Sequence, residues 1–520
     1  GTVNFYNGVA TQSLRWDFAN TSYLNKTFGS AGSRQKFTYS CWIKIALIEN
    51  ADGYALLSVY NDTQDDTGYF HVHITNGNLH IGGYNTNWRT GGIEFRDPSA
   101  WYNIIIAVDT TQGTANNRVR VYVNNQEITT LYSGISNMSQ NANTPVGDAC
   151  SHFIGRQQSV AGSQRSDGYM AECNMINNQQ LTPSSFGEVK NGVWIPIDTS
   201  GLTFGTNGFR LKFDQVGVGT ASTSTIGADS SGNNNHFTSN NIVASDCAMP
   251  DSPENNFATL NPLDTVNSPT FSNGNLQFAR SSNYAVATGS MAMSTGKWYW
   301  EVYCKTVTTS GENSSFGISR VPAQIIGNNY LGYNSDGDDW ALLLDDSGAD
   351  IYYSNSQSVT DSNVNGADGD IFNFALDADT GELWFGRNNT WFASGDPAGG
   401  TGEIFTASVG TDGVYYVIVS LLGNDLIFFN FGQDSSFAGN ETAGGNTDGN
   451  GQGDFAYAPP SGFLSLCTSN LPEPTIGPNS DTQADNYFGT LTWSGDDVAT
   501  RKIATGESAV TGTVDFTPDW

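Results

Sequence analysis

Short runs of alternating apolar and polar residues, each closed by a turn that needs Asn, Asp or Gly, constrain this chain more than any other feature. In RVRVYVNNQEI, Val119, Val121 and Val123 share one side of an extended chain, and Arg118, Arg120 and Tyr122 share the other. Asn124-Asn125 then supplies a two-residue turn that tolerates positive φ. The stretch GDIFNFALDADTGELWFGRNNTWFASGDPAGG, from Gly369 to Gly400, repeats the device with turns at Asp379-Thr380-Gly381 and Asn388-Asn389. No helical period persists beyond about one turn. Such a chain builds antiparallel sandwiches or jelly rolls.

With 520 residues the chain exceeds one hydrophobic core, so several domains are expected. The fold class is all-β: two antiparallel jelly-roll sandwiches in series, a loop-rich bridge, and a partial C-terminal β segment. The first unit takes residues 1–200, with strands at 36–45, 54–60, 69–75, 101–109 and 118–125. A bridge with one strand, GFRLKFD, fills 201–265. The second unit takes 266–470, with strands at 297–305, 371–378, 382–387, 414–422 and 425–432, and a last one in GFLSLCTSN. From 471 to 520 a Pro-rich linker, LPEPTIGPNSD, leads into the start of a further β segment.

The composition narrows the function. Charged residues are 14%, against roughly 25% in ordinary soluble domains. Asn, Ser, Thr and 59 glycines replace them, as suits tight turns on an extracellular-style β protein. The 51 acidic and 21 basic side chains leave a net charge of -30, which repels nucleic acid and anionic membranes. Those carboxylates are either a self-repelling surface or, in part, ligands for divalent cations. The cysteines (Cys41, Cys150, Cys173, Cys247, Cys304 and Cys467) have no metal-binding spacing; Cys41 and Cys304 lie inside apparent strands, where a buried free thiol is the ordinary reading, and nothing in the spacing demands or forbids disulfides. No run approaches the about 18 apolar residues of a membrane span. GTVNFYNGVATQSLRWDF lacks the basic start and apolar run of an export signal. An extracellular composition without that signal leads to the expectation of a virus-particle protein, assembled in a host cytoplasm and exposed outside the cell.

Two groups of motifs carry family resemblances. LRWDFANTSYLNKTF, FTYSCWIKI, WYNIIIAVDTTQGTANNRVRVYVNNQEI and DGYMAECNMINNQQLT resemble the laminin-G/concanavalin A-like jelly roll. GKWYWEVYCK, SFGISR, YLGYNSDGDDW, GDIFNFALDADTGELWFGRNNTWF and VYYVIVSLL resemble a SPRY domain, also an antiparallel sandwich. This order, with DSSGNNNHF in the bridge and APPSGFLSLCTSNLPEP in the tail, is similar to tail-fibre or other virion proteins of marine tailed phages. Neither domain family carries one fixed ligand, so function has to be argued from the site.

Catalytic patterns are absent from the sequence. Glucanases on this kind of jelly roll place two carboxylates on alternate positions of one strand, and no E-x-D-x-E run occurs. Neither G-x-S-x-G, H-E-x-x-H nor a phosphate loop appears in a suitable context. The chain is therefore expected not to be an enzyme. His71 and His73, with His80 nearby, form either a metal-binding pair or a solvated strand face. Asp229, Asn233 and Asn235 in DSSGNNNH offer oxygen ligands for calcium, or an Asx-rich turn.

Aromatic residues in Gly/Asn/Asp surroundings are the binding candidates. Tyr84, Trp88 and Arg89 lie in GGYNTNWRTGG; Asp336, Asp338 and Trp340 lie in SDGDDWALL; Asn388 and Trp391 follow the second turn of the Gly369–Gly400 stretch. Each tryptophan either stacks on a sugar ring beside polar partners or folds back onto its own sandwich. The leading expectation is a non-catalytic tail or head fibre that binds host surface polysaccharide, as a homo-oligomer among other virion proteins. The alternatives are a structural decoration or tail-associated protein held by subunit contacts, and a polysaccharide-degrading enzyme.

Overall fold

The computed structural model describes residues 5–47, 53–84, 86–129, 137–157, 164–280, 283–307, 314–333, 338–344, 366–406 and 413–471, and the backbone of strands Asp350–Tyr353, Ser356–Thr360, Thr492–Trp493 and Val510–Thr511. Among these residues no helix is long and apolar enough to cross a membrane. The all-β expectation holds.

The first sandwich stacks two seven-stranded sheets. One runs Leu14–Trp16, Gly168–Asn177, Lys36–Ile45, Trp101–Asp109, Val119–Val123 and Gln126–Glu127 in spatial order. The other runs Thr238–Asn240, Tyr23–Thr27, Ser151–Ile154, Tyr54–Tyr60, Tyr69–Thr75, Asn78–Gly82 and Asn87–Glu94. Phe37, Ile43, Leu57, Phe70, Val72, Ile104 and Val121 meet in the core between them. Strand alternation therefore sends Tyr69, His71 and His73 to the far side of the second sheet. Asn124 and Asn125 adopt φ of 47° and 69°, the left-handed turn that the sequence requires.

The segment read as a bridge, 201–265, does not stand apart. Phe209–Leu211 pairs with Gly168–Asn177, and Thr238–Asn240 pairs with Tyr23–Thr27, so each first-sandwich sheet gains a strand from it. Leu260–Val266 opens the second sandwich. That sandwich again stacks two sheets, one centred on Tyr415–Leu421 and Ser314–Ser319, the other on Lys297–Thr306 and Ile371–Asp377. Trp298, Trp300, Phe316, Phe374 and Trp340 fill its core. The Gly/Asn-rich loop after Asn430 folds over the outer side of Lys297–Thr306, where Phe455 and Phe463 cover Tyr299 and Trp384. GFLSLCTSN supplies only the two-residue strand Leu464–Ser465, parallel to Lys297–Thr306. In the tail, Thr492–Trp493 pairs with Val510–Thr511.

The two sandwiches meet through polar contacts. Lys44 Nζ donates to Asp251 (2.8 Å), Asn256 (2.7 Å) and the Phe257 carbonyl (2.9 Å). Asn275 donates to the Ala46 carbonyl, and the Tyr169 hydroxyl donates to the Gly274 carbonyl. All six cysteines are buried and free.

Candidate ligand-binding face

The aromatic residues singled out in the sequence are mostly core. Trp88 lies on strand Asn87–Glu94, is 3% exposed, and packs on Phe70 with ring centroids 5.8 Å apart. Arg89 is buried beside it and donates to the carbonyls of Trp88, Asn116 and Val119 and to Asn137 Oδ1. Trp340 lies on Asp339–Leu344, is 1% exposed, and meets Tyr415 edge-on. Neither indole offers a face to a sugar, because the Gly and Asn residues beside each bracket a strand that enters the core. Tyr84 stays partly exposed, its hydroxyl donating to Gln64 Oε1. Asp338 lies 3.8 Å from Arg320, and Asp336 is outside the described residues. Asn388 closes its turn by accepting from Ile371 N and donating to Asp370. Trp391 packs against the Tyr299–Trp384–Phe463 cluster.

The turn offered for calcium is satisfied by its own chain. Asp229 Oδ1 accepts from the backbone N–H of Arg210 and Ser231, and Oδ2 from the Ser231 hydroxyl and the Asn235 N–H. The Asn233 and Asn235 amides point their NH₂ groups at the carbonyls of Gly205, Thr206 and Gly208. These residues act as an Asx turn that locks the connector onto the first sandwich. Among the described residues no group of three or more His, Cys, Asp or Glu is arranged to hold a metal ion.

The outer side of the sheet that runs from Thr238–Asn240 to Asn87–Glu94 has the makings of a recognition surface. Cross-strand register fixes its rows, since directly paired residues share a face. Phe153 lies between Asn25 and Ser58, Ser151 between Thr27 and Tyr60, and Asn240 opposite Tyr23. Tyr23 and Phe153 have ring centroids 6.1 Å apart, and the Arg156 guanidinium lies 4.9 Å above the Tyr23 ring. Asn240 donates to Asn25 Oδ1 at 2.8 Å. Tyr23, Asn25, Tyr60, Phe153, Arg156 and Asn240 are all partly exposed. The connector therefore contributes directly: Asn240, from the segment expected to be a bridge, is part of the face.

From Tyr60 the face continues as an aromatic ladder. Ring centroids step 6.2 Å to Tyr69, 5.3 Å to His71, 4.9 Å to His73 and 5.0 Å to His80. The imidazoles stack nearly parallel instead of converging on a point, which favours neither the metal pair nor the solvated face. Gly82 allows this, because a Cβ there would come within 2.9 Å of His71. The chain returning through Gln157 and Ser166 crosses this end: Gln157 donates to the Tyr69 hydroxyl and Ser166 to the Ala55 carbonyl. Burial holds His71 down to about 3, with His80 adding to the effect, and holds His73 down to about 2, with His71 and His80 adding. The ladder is neutral at physiological pH.

Residues 18–185 match the family model described as the concanavalin A-like lectin/glucanases superfamily, and residues 297–434 match that described as the SPRY domain. No curated protein matches the chain. Among solved structures, the SPRY domain of human HERC1 aligns at 17% identity and TM-score 0.26, over 34% of this chain and 97% of that one. The TRIM65 PSpry domain aligns at 12% and 0.26, over 33% and 88%. The native heptameric SAP-like pentraxin from Limulus polyphemus aligns at 15% and 0.26, over 34% and 80%. The chain thus carries a concanavalin A-like domain followed by a SPRY domain.

Proposed function

We propose that this is a non-catalytic recognition protein that binds glycan across the outer face of its first sandwich. The observation that carries the reading is the partly exposed set Tyr23, Phe153 and Tyr60, interleaved with Asn25, Asn240 and Arg156. Aromatic rings cover the apolar faces of pyranose rings, and amides and guanidinium answer the hydroxyls. The same face lends no support to hydrolysis. Among the described strand residues pointing that way, Glu94 is the lone carboxylate, and it is bound to Arg96. A retaining or inverting glycosidase needs two facing carboxyl groups. The finer placement, a tail or head fibre of a tailed phage contacting host polysaccharide, rests on the resemblance of the bridge and tail segments. Repetition on a particle would multiply weak single sites. Structural decoration is the competing role.

The test is a glycan-array and bacterial-envelope binding assay with the purified chain, in calcium and in chelator. Retained array binding in chelator, weakened at least tenfold on Phe153→Ala, supports the reading. Absence of binding by folded, assembled protein would shift the role to structural decoration.

A further inference from the structure

We propose that the cleft between the two sandwiches is a second binding site, taking a single neutral sugar residue. The inference rests on the glycan-binding reading for its ligand class alone; the location and shape are independent of it. A cavity of about 330 Å³ opens where three separate segments meet. The N-terminal arm contributes Tyr6 and Thr11, the connector Ser252 and Glu254, and the second sandwich Gln452 and Ser469. That volume is at the lower end of the roughly 300–1,000 Å³ of small-molecule sites, which favour domain boundaries.

The lining selects the ligand by exclusion. Among the described residues no lysine or arginine lines the cavity, so an anion finds no cationic partner. The Glu254 carboxylate is already used: Oε2 accepts from Gly8 N, and Oε1 from Val9 N and Ala10 N. A cation is thereby left without a free anionic ligand. Among the described lining residues Tyr6 and Pro250 are the apolar side chains, and the exposed wall mixes apolar and polar groups, which suits an amphipathic guest better than a wholly apolar one. What the site offers is hydroxyls and one ring. Tyr6 is 36% exposed, and the hydroxyls of Tyr6, Thr11 and Ser469 make no hydrogen bond among the described residues. A pyranose presents the complementary surface, one apolar face for the ring and a rim of hydroxyls.

The walls are fixed before anything binds. Glu254 ties down the N-terminal arm, and Ser13 pairs with Met249 through two backbone hydrogen bonds. Asn255 donates to Gln452 and accepts from Ser469 N, bolting the connector to the second sandwich. Such preorganisation lowers the ordering cost of binding.

The experiment is saturation-transfer NMR on the full chain with the methyl glycosides of glucose, galactose, mannose and N-acetylglucosamine. Thr11 is exposed, so Thr11→Trp fills the cleft without disturbing the core. In a Phe153→Ala background, which disables the sheet face, transfer to at least one glycoside persists. Adding Thr11→Trp, or Tyr6→Ala as an independent variant, weakens it about tenfold or more. Persistence of that signal in both added variants overturns the cleft site. Loss of all transfer on Phe153→Ala alone also overturns it and leaves the sheet-face reading standing. No transfer to any glycoside by wild-type protein, together with no binding on the glycan array, overturns both.

Discussion

Arg15 and Asp434 form a buried ion pair across the two sandwiches: Nη1 lies 2.9 Å from Oδ2, and the residues are 419 positions apart. Arg15 is 0% exposed and also holds Asp246 of the connector at 3.1 Å and the Ser245 carbonyl at 3.0 Å. Removing one member of a buried charge cluster costs about 3–5 kcal/mol, because its partners stay buried and unpaired. Arg15→Met is expected to lower the unfolding free energy by that amount, read as a lower urea midpoint at unchanged slope. Tryptophans of both sandwiches report the loss, because the strand Leu14–Trp16 that carries Arg15 is joined through it to the second sandwich. Two separate transitions in the wild-type protein, with only the first moved by the substitution, would refute this shared stability.

The same junction buries a carboxyl that favours its neutral form. Burial raises Asp167 to about 8, with Asp17 adding to the effect and the backbone N–H groups of Gly274 and Phe18 partly opposing it. A carboxyl whose pKa is raised in the folded state binds its proton more tightly there than in the unfolded chain. Its contribution is therefore fully present below about pH 4 and is lost as pH rises toward about 8. Asp167→Asn removes this dependence. The substituted protein should show a flatter stability profile between pH 4 and 8, read from urea midpoints across that range.

The histidine ladder works in the opposite direction. His71 and His73 are held at about 3 and about 2, and burial lowers His152 to about 4. The unfolded chain takes up protons near pH 6.5, where the folded protein refuses them. Stability from these groups is present above about pH 6.5 and drains away as pH falls toward 3. His71→Phe preserves the stacking and removes one titrating ring. The acid limb of the profile should shallow in that variant, and an unchanged limb would show that His71 is accessible in the folded protein.

Strand positions were legible where alternation and turn chemistry agreed. Lys36–Ile45, Tyr54–Tyr60, Tyr69–Thr75, Trp101–Asp109 and Glu382–Arg387 form over the residues that the pattern marks. The failures have a common physical origin. Trp88 and Trp340 have Gly, Asn and Asp neighbours, and local composition reads that as loop; cross-strand pairing and core burial override it. Thr238–Asn240 carries no strand signal at all and exists because Tyr23–Thr27 offers it an edge. The candidate face combines Tyr23, Tyr60, Phe153 and Asn240 from four strands, so no window of sequence contains it. Half-buried aromatics on alternate positions, as in YLNKT and SHFI, were the available signal.

Buried and open aromatic residues give the sharpest contrast in outcome. Trp88 is a core residue packed on Phe70, so Trp88→Ala should destabilise the first sandwich by about 3–5 kcal/mol. Phe153 and Tyr23 are partly exposed and bordered by polar side chains, so Phe153→Ala and Tyr23→Ala should change stability by less than about 1 kcal/mol. Their effect belongs in affinity instead: glycan binding at the sheet face should weaken at least tenfold for each, equivalent to about 1.4 kcal/mol or more. Calorimetric melting and glycan titration on the same three variants separate the two quantities. If Trp88→Ala lowered affinity while leaving the melt unchanged, ligand would be reaching the indole, and the sheet face would no longer be the site.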